Sequence, residues 1–153
     1  MKIAEIGLGS ALQALLASLD GGVQQLYEAE GERFRPRFYP IVPLLLEHPS
    51  LRVGELASRC GVSQPAMTQT LMAMRREGIV QVVDGKDHRE RLISLTAEGL
   101  TQARRLERLW AATGQAAARL EAECDAPLTA LLGRLLTALE DKPFIERIGE
   151  EME

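Results

Sequence analysis

The sequence predicts a mainly α fold with one small β-hairpin, in which a helix-turn-helix and the hairpin sit between long helices at either end. Three observations predict it. Two stretches of helical apolar spacing, at 53–60 and 64–77, are separated by a turn of about three residues at Gly61. A β-branched run at 79–83 and an alternating run at 91–95 bracket the turn cluster Asp84-Gly85-Lys86-Asp87, which makes a hairpin. Outside this centre, apolar residues recur with a helical period, most regularly at Leu128, Leu131, Leu132, Leu135, Leu136 and Leu139.

Each element has a local reason. Leu12, Leu15, Leu16 and Leu19 have helical spacing, Gly21-Gly22 weaken the pattern, and Val23, Leu26 and Tyr27 resume it, so one long or broken helix is expected. Pro36, Pro40 and Pro43 punctuate the next segment, and Ile41–Glu47 makes a short helix ended by Pro49-Ser50. Val53, Leu56, Ala57 and Cys60 fall on one face of the next helix, which places Cys60 in the core, and Gly61 suits a left-handed stop. Ser63 is a good N-cap, and Pro65 fits the first turn of a helix running to about Glu77 with Met67, Leu71 and Met74 buried. Thr96 caps a long helix from about Ala97 to Glu123. Pro127 restarts the leucine-striped helix, Asp141-Lys142-Pro143 ends it, and a last short helix begins at Phe144.

Composition narrows the function. With 153 residues, 46% apolar and 26% charged, the chain suits one globular domain. No apolar run is long enough for a membrane span, and Ala11–Leu19 lacks the basic flank of an export signal, so no membrane partner and a cytoplasmic location are expected. Cys60 and Cys124 make no disulfide framework, and with His48 and His88 they have no metal-ligand spacing. Gly7-Leu8-Gly9 lacks the rest of a dinucleotide fingerprint. Glu121 and Glu123 read as a solvated face, and no catalytic constellation or cofactor site stands out, so an enzyme is not expected. The net charge of −4 is uneven. Between Arg52 and Arg105 nine basic residues meet six acids, so a centre of +3 is flanked by ends carrying −7. A basic middle between acidic ends suits a DNA-reading centre.

The segment VGELASRCGVSQPAMTQTLMAMRREGIVQVVDGKDHRERLISLTAEG resembles the DNA-binding core of the MarR family of transcriptional regulators. The resemblance rests on Ser-Gln-Pro-Ala opening the second helix, on Arg-Glu-Gly-Ile-Val leading into the hairpin, and on Asp87-His88-Arg89 followed by Leu95-Thr96-x-x-Gly99. It covers about a third of the chain strongly. It implies a winged helix-turn-helix lobe at about 51–99 within a single domain. It further implies a helical dimerisation region at about 1–35 and 97–153, and a homodimer on a pseudo-palindromic operator in double-stranded DNA.

The residue types agree. A helix fits the major groove, and with Met67, Leu71 and Met74 turned inward the outward side presents Gln64, Thr68, Gln69 and Met72. Glutamine can pair bidentately with adenine, and threonine can touch a thymine methyl. Ser63 at the helix N-terminus suits a phosphate. Arg75 and Arg76 either meet phosphate or cover the helix end. At the hairpin tip Asp87 can hold Arg89; in the family the matching arginine enters the minor groove, with Lys86 and Arg91 placed for phosphates. Residues 63–74 contain no arginine, which weakens guanine readout and leaves open a second reading, a winged-helix protein-interaction or dimerisation module.

The family often binds small aromatic or anionic effectors. Phe34, Arg37, Phe38, Tyr39 and Trp110 could form such a pocket or could be packing, and the sequence leaves both open. It also leaves open repressor or activator.

Overall fold

The computed structural model describes residues 7–85 and 91–152. These form two compact units that meet in sequence between Glu107 and Arg108. The first contains α1 (Gly7–Ala29), a 3-10 turn (Pro36–Phe38), α2 (Ile41–Glu47), α3 (Val53–Arg59), α4 (Gln64–Arg76), β1 (Val80–Asp84), β2 (Arg91–Leu95) and the opening turns of α5 (Ala97–Glu123). The second contains the rest of α5, then α6 (Leu128–Asp141) and α7 (Phe144–Glu151).

Helix α1 runs unbroken through Gly21-Gly22. Each glycine costs about 1 kcal/mol in a helix interior, too little to break 23 residues anchored by the buried Tyr27. Gly31, at φ +69°, ends the turn after the helix, and the Glu32 amide donates to the Tyr27 carbonyl at 2.8 Å. Tyr27, Phe34 and Phe38 then pack edge to face, with ring centroids 5.1 and 5.5 Å apart. Around them Ile41, Val42, Leu56, Met74 and Ile79 are fully enclosed. This core seats α2, α3 and α4 on one apolar centre.

The helix-turn-helix forms as its sequence dictates. The Glu55 carboxylate accepts from the Arg52 amide at 2.8 Å and secures the start of α3. Leu56 and Ala57 are buried, Gly61 takes φ +65°, and the Val62 amide reaches the Ala57 carbonyl at 3.0 Å. Cys60 departs from expectation. It is the C-cap and only half-buried, because α3 ends at Arg59 and the chain turns away before the apolar stripe completes its second turn. Ser63 Oγ accepts from the Ala66 amide at 3.4 Å, with Pro65 in the first turn of α4. Met67, Leu71 and Met74 are all buried.

The hairpin is antiparallel with Val80 opposite Leu95 and Asp84 opposite Arg91. Leu51 adds a short third edge, exchanging backbone hydrogen bonds with Ile93 at 3.1 and 2.8 Å. Hairpin, α4 and α5 meet at Thr96. Its hydroxyl accepts from the Gly99 amide at 2.9 Å as the N-terminal cap of α5 and donates to the Gly78 carbonyl, while its amide donates to the Ile79 carbonyl at 3.0 Å.

A carboxylate bridge closes the first unit. Glu32, with its side chain 11% exposed, accepts from Arg105 Nε at 2.8 Å and from Gln102 Nε2 at 2.6 Å. Burial alone would raise its pKa, but these hydrogen bonds and the Arg105 charge outweigh that and leave it below the usual carboxylate value.

In the second unit Glu121 is not a solvated acid. It accepts from the Thr129 amide at 2.7 Å and from the Thr129 hydroxyl, capping α6, and its pKa is lowered by those bonds. Arg147 ties α7 to α6 through the carbonyls of Ala138 (2.6 Å) and Lys142 (3.1 Å). Neither α6 nor α7 buries a residue. Leu131, Leu135, Leu136 and Leu139 are 39–63% exposed, and Phe144 and Ile145 more so.

Candidate nucleic-acid interface

Helix α4 has one locked face and one free face. Met67, Leu71 and Met74 hold it to the core, so the opposite side is presented on a rigid support. Ser63, Gln64, Thr68, Gln69, Met72 and Arg75 are all exposed, with Met72 at 62%. The structure brings these six sequence-selected residues together along a single helix.

Hydrogen bonding refines what each can do. Thr68 donates its hydroxyl proton to the Gln64 carbonyl at 2.9 Å, one turn back. It therefore presents a methyl group and acceptor lone pairs outward, which suits a thymine methyl or a base amino group. Ser63 is committed as the cap; Pro65 has no N–H and the Met67 amide donates to the Ser63 carbonyl at 3.0 Å, so in the first turn the Gln64 amide is left to meet an anion. Gln64 and Gln69 have no side-chain hydrogen bond among the described residues, so both carboxamides are free for adenine-type pairing.

In the hairpin, Arg91 is exposed at the outer end of β2, opposite Asp84. Lys86, Asp87 and Arg89, the sequence-selected tip, lie outside the described residues.

The residues grouped as an effector pocket differ in burial and surroundings. Phe34 and Phe38 are 1% and 0% exposed and stack on each other, so of the two roles left open their rings take packing. Tyr39 is 44% exposed. Trp110 is half-buried on α5 within the second unit. Arg37 goes elsewhere. It lines an open groove of about 630 Å³ with Gln69, Met72, Arg75 and Arg76, beside the free face of α4. Sequence reading missed this placement, because the approach of 37 to 69–76 depends on tertiary packing.

Two further features carry the site without touching a ligand. A Cβ at Gly99 would lie 2.1 Å from the Ile79 carbonyl oxygen. Only glycine lets α5 approach the start of the hairpin so closely. The Leu95-Thr96-x-x-Gly99 pattern is thus a joint that fixes the hairpin relative to α4. Cys60 has its thiol pKa pushed up by burial, which disfavours the reactive thiolate. Among the described residues, no group of three or more His, Cys, Asp or Glu side chains is placed to hold a metal, and no helix is long and apolar enough to cross a membrane.

Several solved structures share this architecture. The transcriptional regulator MOSR of M. tuberculosis, crystallised in complex with DNA, aligns with a TM-score of 0.73 at 22% identity, over 90% of this chain and 99% of that one. The transcriptional repressor CouR, bound to a 23-mer DNA duplex, aligns at 0.68 and 21% identity, over 90% and 96%. A MarR family transcriptional regulator from Silicibacter pomeroyi aligns at 0.57 and 22% identity, over 84% and 90%. The chain has the MarR-type winged-helix fold. No family model and no curated protein matches its sequence. In MarR-type terms, α3 and α4 are the helix-turn-helix, α4 the recognition helix, and β1–β2 the wing.

Proposed function

We propose that this chain is a sequence-specific transcriptional regulator that binds double-stranded DNA as a homodimer and acts as a ligand-responsive repressor. The observation that carries the reading is the free face of α4. Gln64, Thr68, Gln69 and Met72 project from a helix whose other side is locked by three buried residues, and arginines follow at its end. A rigid, hydrogen-bonding helix face with cations beside it suits major-groove reading, with glutamine available for adenine. DNA complexes of MOSR and CouR, which have the same fold, support this reading.

The dimer is supported by apolar surface left exposed among the described residues. Leu8, Leu16, Leu19 and Leu26 on α1, and Leu131, Leu135, Leu136 and Leu139 on α6, are 39–66% exposed. Covering the exposed half of such a leucine contributes about 1 kcal/mol, so a second copy of the chain gains from pairing there. A two-fold dimer also fits a pseudo-palindromic site. The repressor role is supported by the likeness to CouR. Effector response is supported by the exposed Arg37 and Tyr39 in an aromatic segment. A small aromatic or anionic molecule acts there by linkage, favouring the state with lower DNA affinity.

Fluorescence anisotropy on DNA from upstream of the chain's own gene, against a scrambled duplex and across a salt series, tests the reading. Specific binding about 10³-fold or more above non-specific is expected, falling steeply as salt rises. Equal weak binding to both would favour the protein-interaction module.

A further inference from the structure

We infer that Arg37, on the 3-10 turn ahead of α2 and outside the helix-turn-helix, is a DNA-backbone contact that forms with Arg75 and Arg76 a seat for phosphates flanking the bases read by α4. The inference rests on the DNA-binding reading and assigns it a residue from a different part of the chain.

Four observations carry it. First, Arg37, Arg75 and Arg76 open into one groove with Gln69 and Met72, two residues of the reading face, so the groove is continuous with that face. Second, the groove is cationic and, among the described residues, uncompensated. Among the described residues no carboxylate pairs with any of the three arginines, and Glu77, the nearest acid in sequence, faces Arg33 at 4.0 Å. Three like charges gathered in one groove repel one another, and a polyanion relieves that repulsion. Third, Arg37 is held in place. Pro36 opens the turn, the Phe38 and Tyr39 amides close it on Arg35 and Pro36 at 2.9 and 3.0 Å, and Phe38 is 0% exposed beneath. Fourth, the guanidinium lies 5.7 Å from the Phe38 ring centroid, a stacking that restrains its position and leaves its N–H groups to meet phosphate oxygens.

The groove is open and lined by long exposed side chains, which suits a strand of phosphates running past it. Phosphate contacts position a protein without reading sequence, so Arg37 sets the depth and register of α4 in the groove.

The test compares the full-length wild type with Arg37→Ala, Arg37→Lys and Arg35→Ala on the duplex from upstream of the gene and on its scramble, from low to physiological salt. Arg35 is exposed two residues away and lines a different cleft, so its removal makes the same change in net charge outside the groove. For Arg37→Ala the expected result is an affinity loss of about tenfold on both duplexes alike. The slope of log affinity against log salt should also shrink by about 1 for each chain on the DNA. Arg37→Lys keeps the slope and Arg35→Ala leaves it unchanged. Circular dichroism and Tm confirm that each variant folds. A wild-type slope for Arg37→Ala, with wild-type specific binding intact, overturns the Arg37 contact alone. An equal loss of slope for Arg35→Ala overturns it in favour of a general charge effect. No binding of either duplex by the wild type overturns the DNA reading and this contact with it.

Discussion

Gly99 and Ile79 touch backbone to backbone: a Cβ at position 99 would lie 2.1 Å from the Ile79 carbonyl oxygen. That oxygen already accepts from the Thr96 amide, and the Thr96 hydroxyl caps the same helix turn. The contact therefore fixes α5, the end of α4 and the first wing strand as one piece. Replacing Gly99 by alanine forces the backbone apart, at a cost of about 1–3 kcal/mol. Gly114 lies on the same helix with nothing near its absent Cβ, so Gly114→Ala is expected to be neutral or to stabilise by up to about 1 kcal/mol. Thermal unfolding of the two variants side by side checks this. A similar Tm for both would contradict the close approach.

The Glu32 bridge predicts a specific acid sensitivity. Its pKa is lower in the folded chain than the ordinary 4.5. A depressed carboxylate pKa contributes stability that is fully present above the unfolded value and is lost as pH falls through the folded one. Glu32→Gln should therefore lower Tm at pH 7. The gap from wild type should close as pH falls below about 4.5, the unfolded value. A gap of constant size from pH 7 to pH 3 would show that the Arg105 and Gln102 contacts act only through shape.

The exposed leucines predict a dimer that added charge can split. Leu136 is 63% exposed on α6, so Leu136→Glu should leave helix content unchanged. Paired with Leu131→Glu, it should move the sedimenting species from dimer toward monomer at micromolar concentration. A wild type that sediments as a monomer, or a doubly charged variant that remains a dimer, would remove this face from the interface.

Base reading and backbone contact should separate in mutants. Gln69→Ala removes a free carboxamide and no charge. The expected loss is about 1–3 kcal/mol on the specific duplex, with little change on scrambled DNA and an unchanged salt slope. An equal loss on both would make Gln69 a packing residue of the Arg37 groove instead.

Most of the fold was legible because its signals are local. Apolar spacing at Met67, Leu71 and Met74 placed the buried side of α4, and Gly61, Ser63 and Pro65 marked the turn by their own backbone preferences. Arg91–Leu95 alternates and forms β2 over those same residues. What escaped the sequence depends on distant segments meeting. Glu32 finds Arg105 some seventy positions away, Arg37 arrives beside Gln69, and Glu121 turns from an apparent surface acid into a helix cap. Cys60 fell off its predicted face because a helical stripe says nothing about where the helix stops. The aromatic segment 34–39 was ambiguous for a related reason. Buried rings and ligand-binding rings have the same composition, and only the edge-to-face stack of Phe34 on Phe38 distinguishes them.

The central claim is that two copies of this chain read related sequences on one face of double-stranded DNA. Hydroxyl-radical footprinting on the region upstream of the chain's own gene tests it most directly. The account predicts two protected patches of related sequence, about one helical turn (10–10.5 base pairs) apart centre to centre. Both should be lost together in Arg89→Ala. Uniform cleavage at protein concentrations well above those expected for specific binding, or a single protected patch that survives Arg89→Ala, would contradict it.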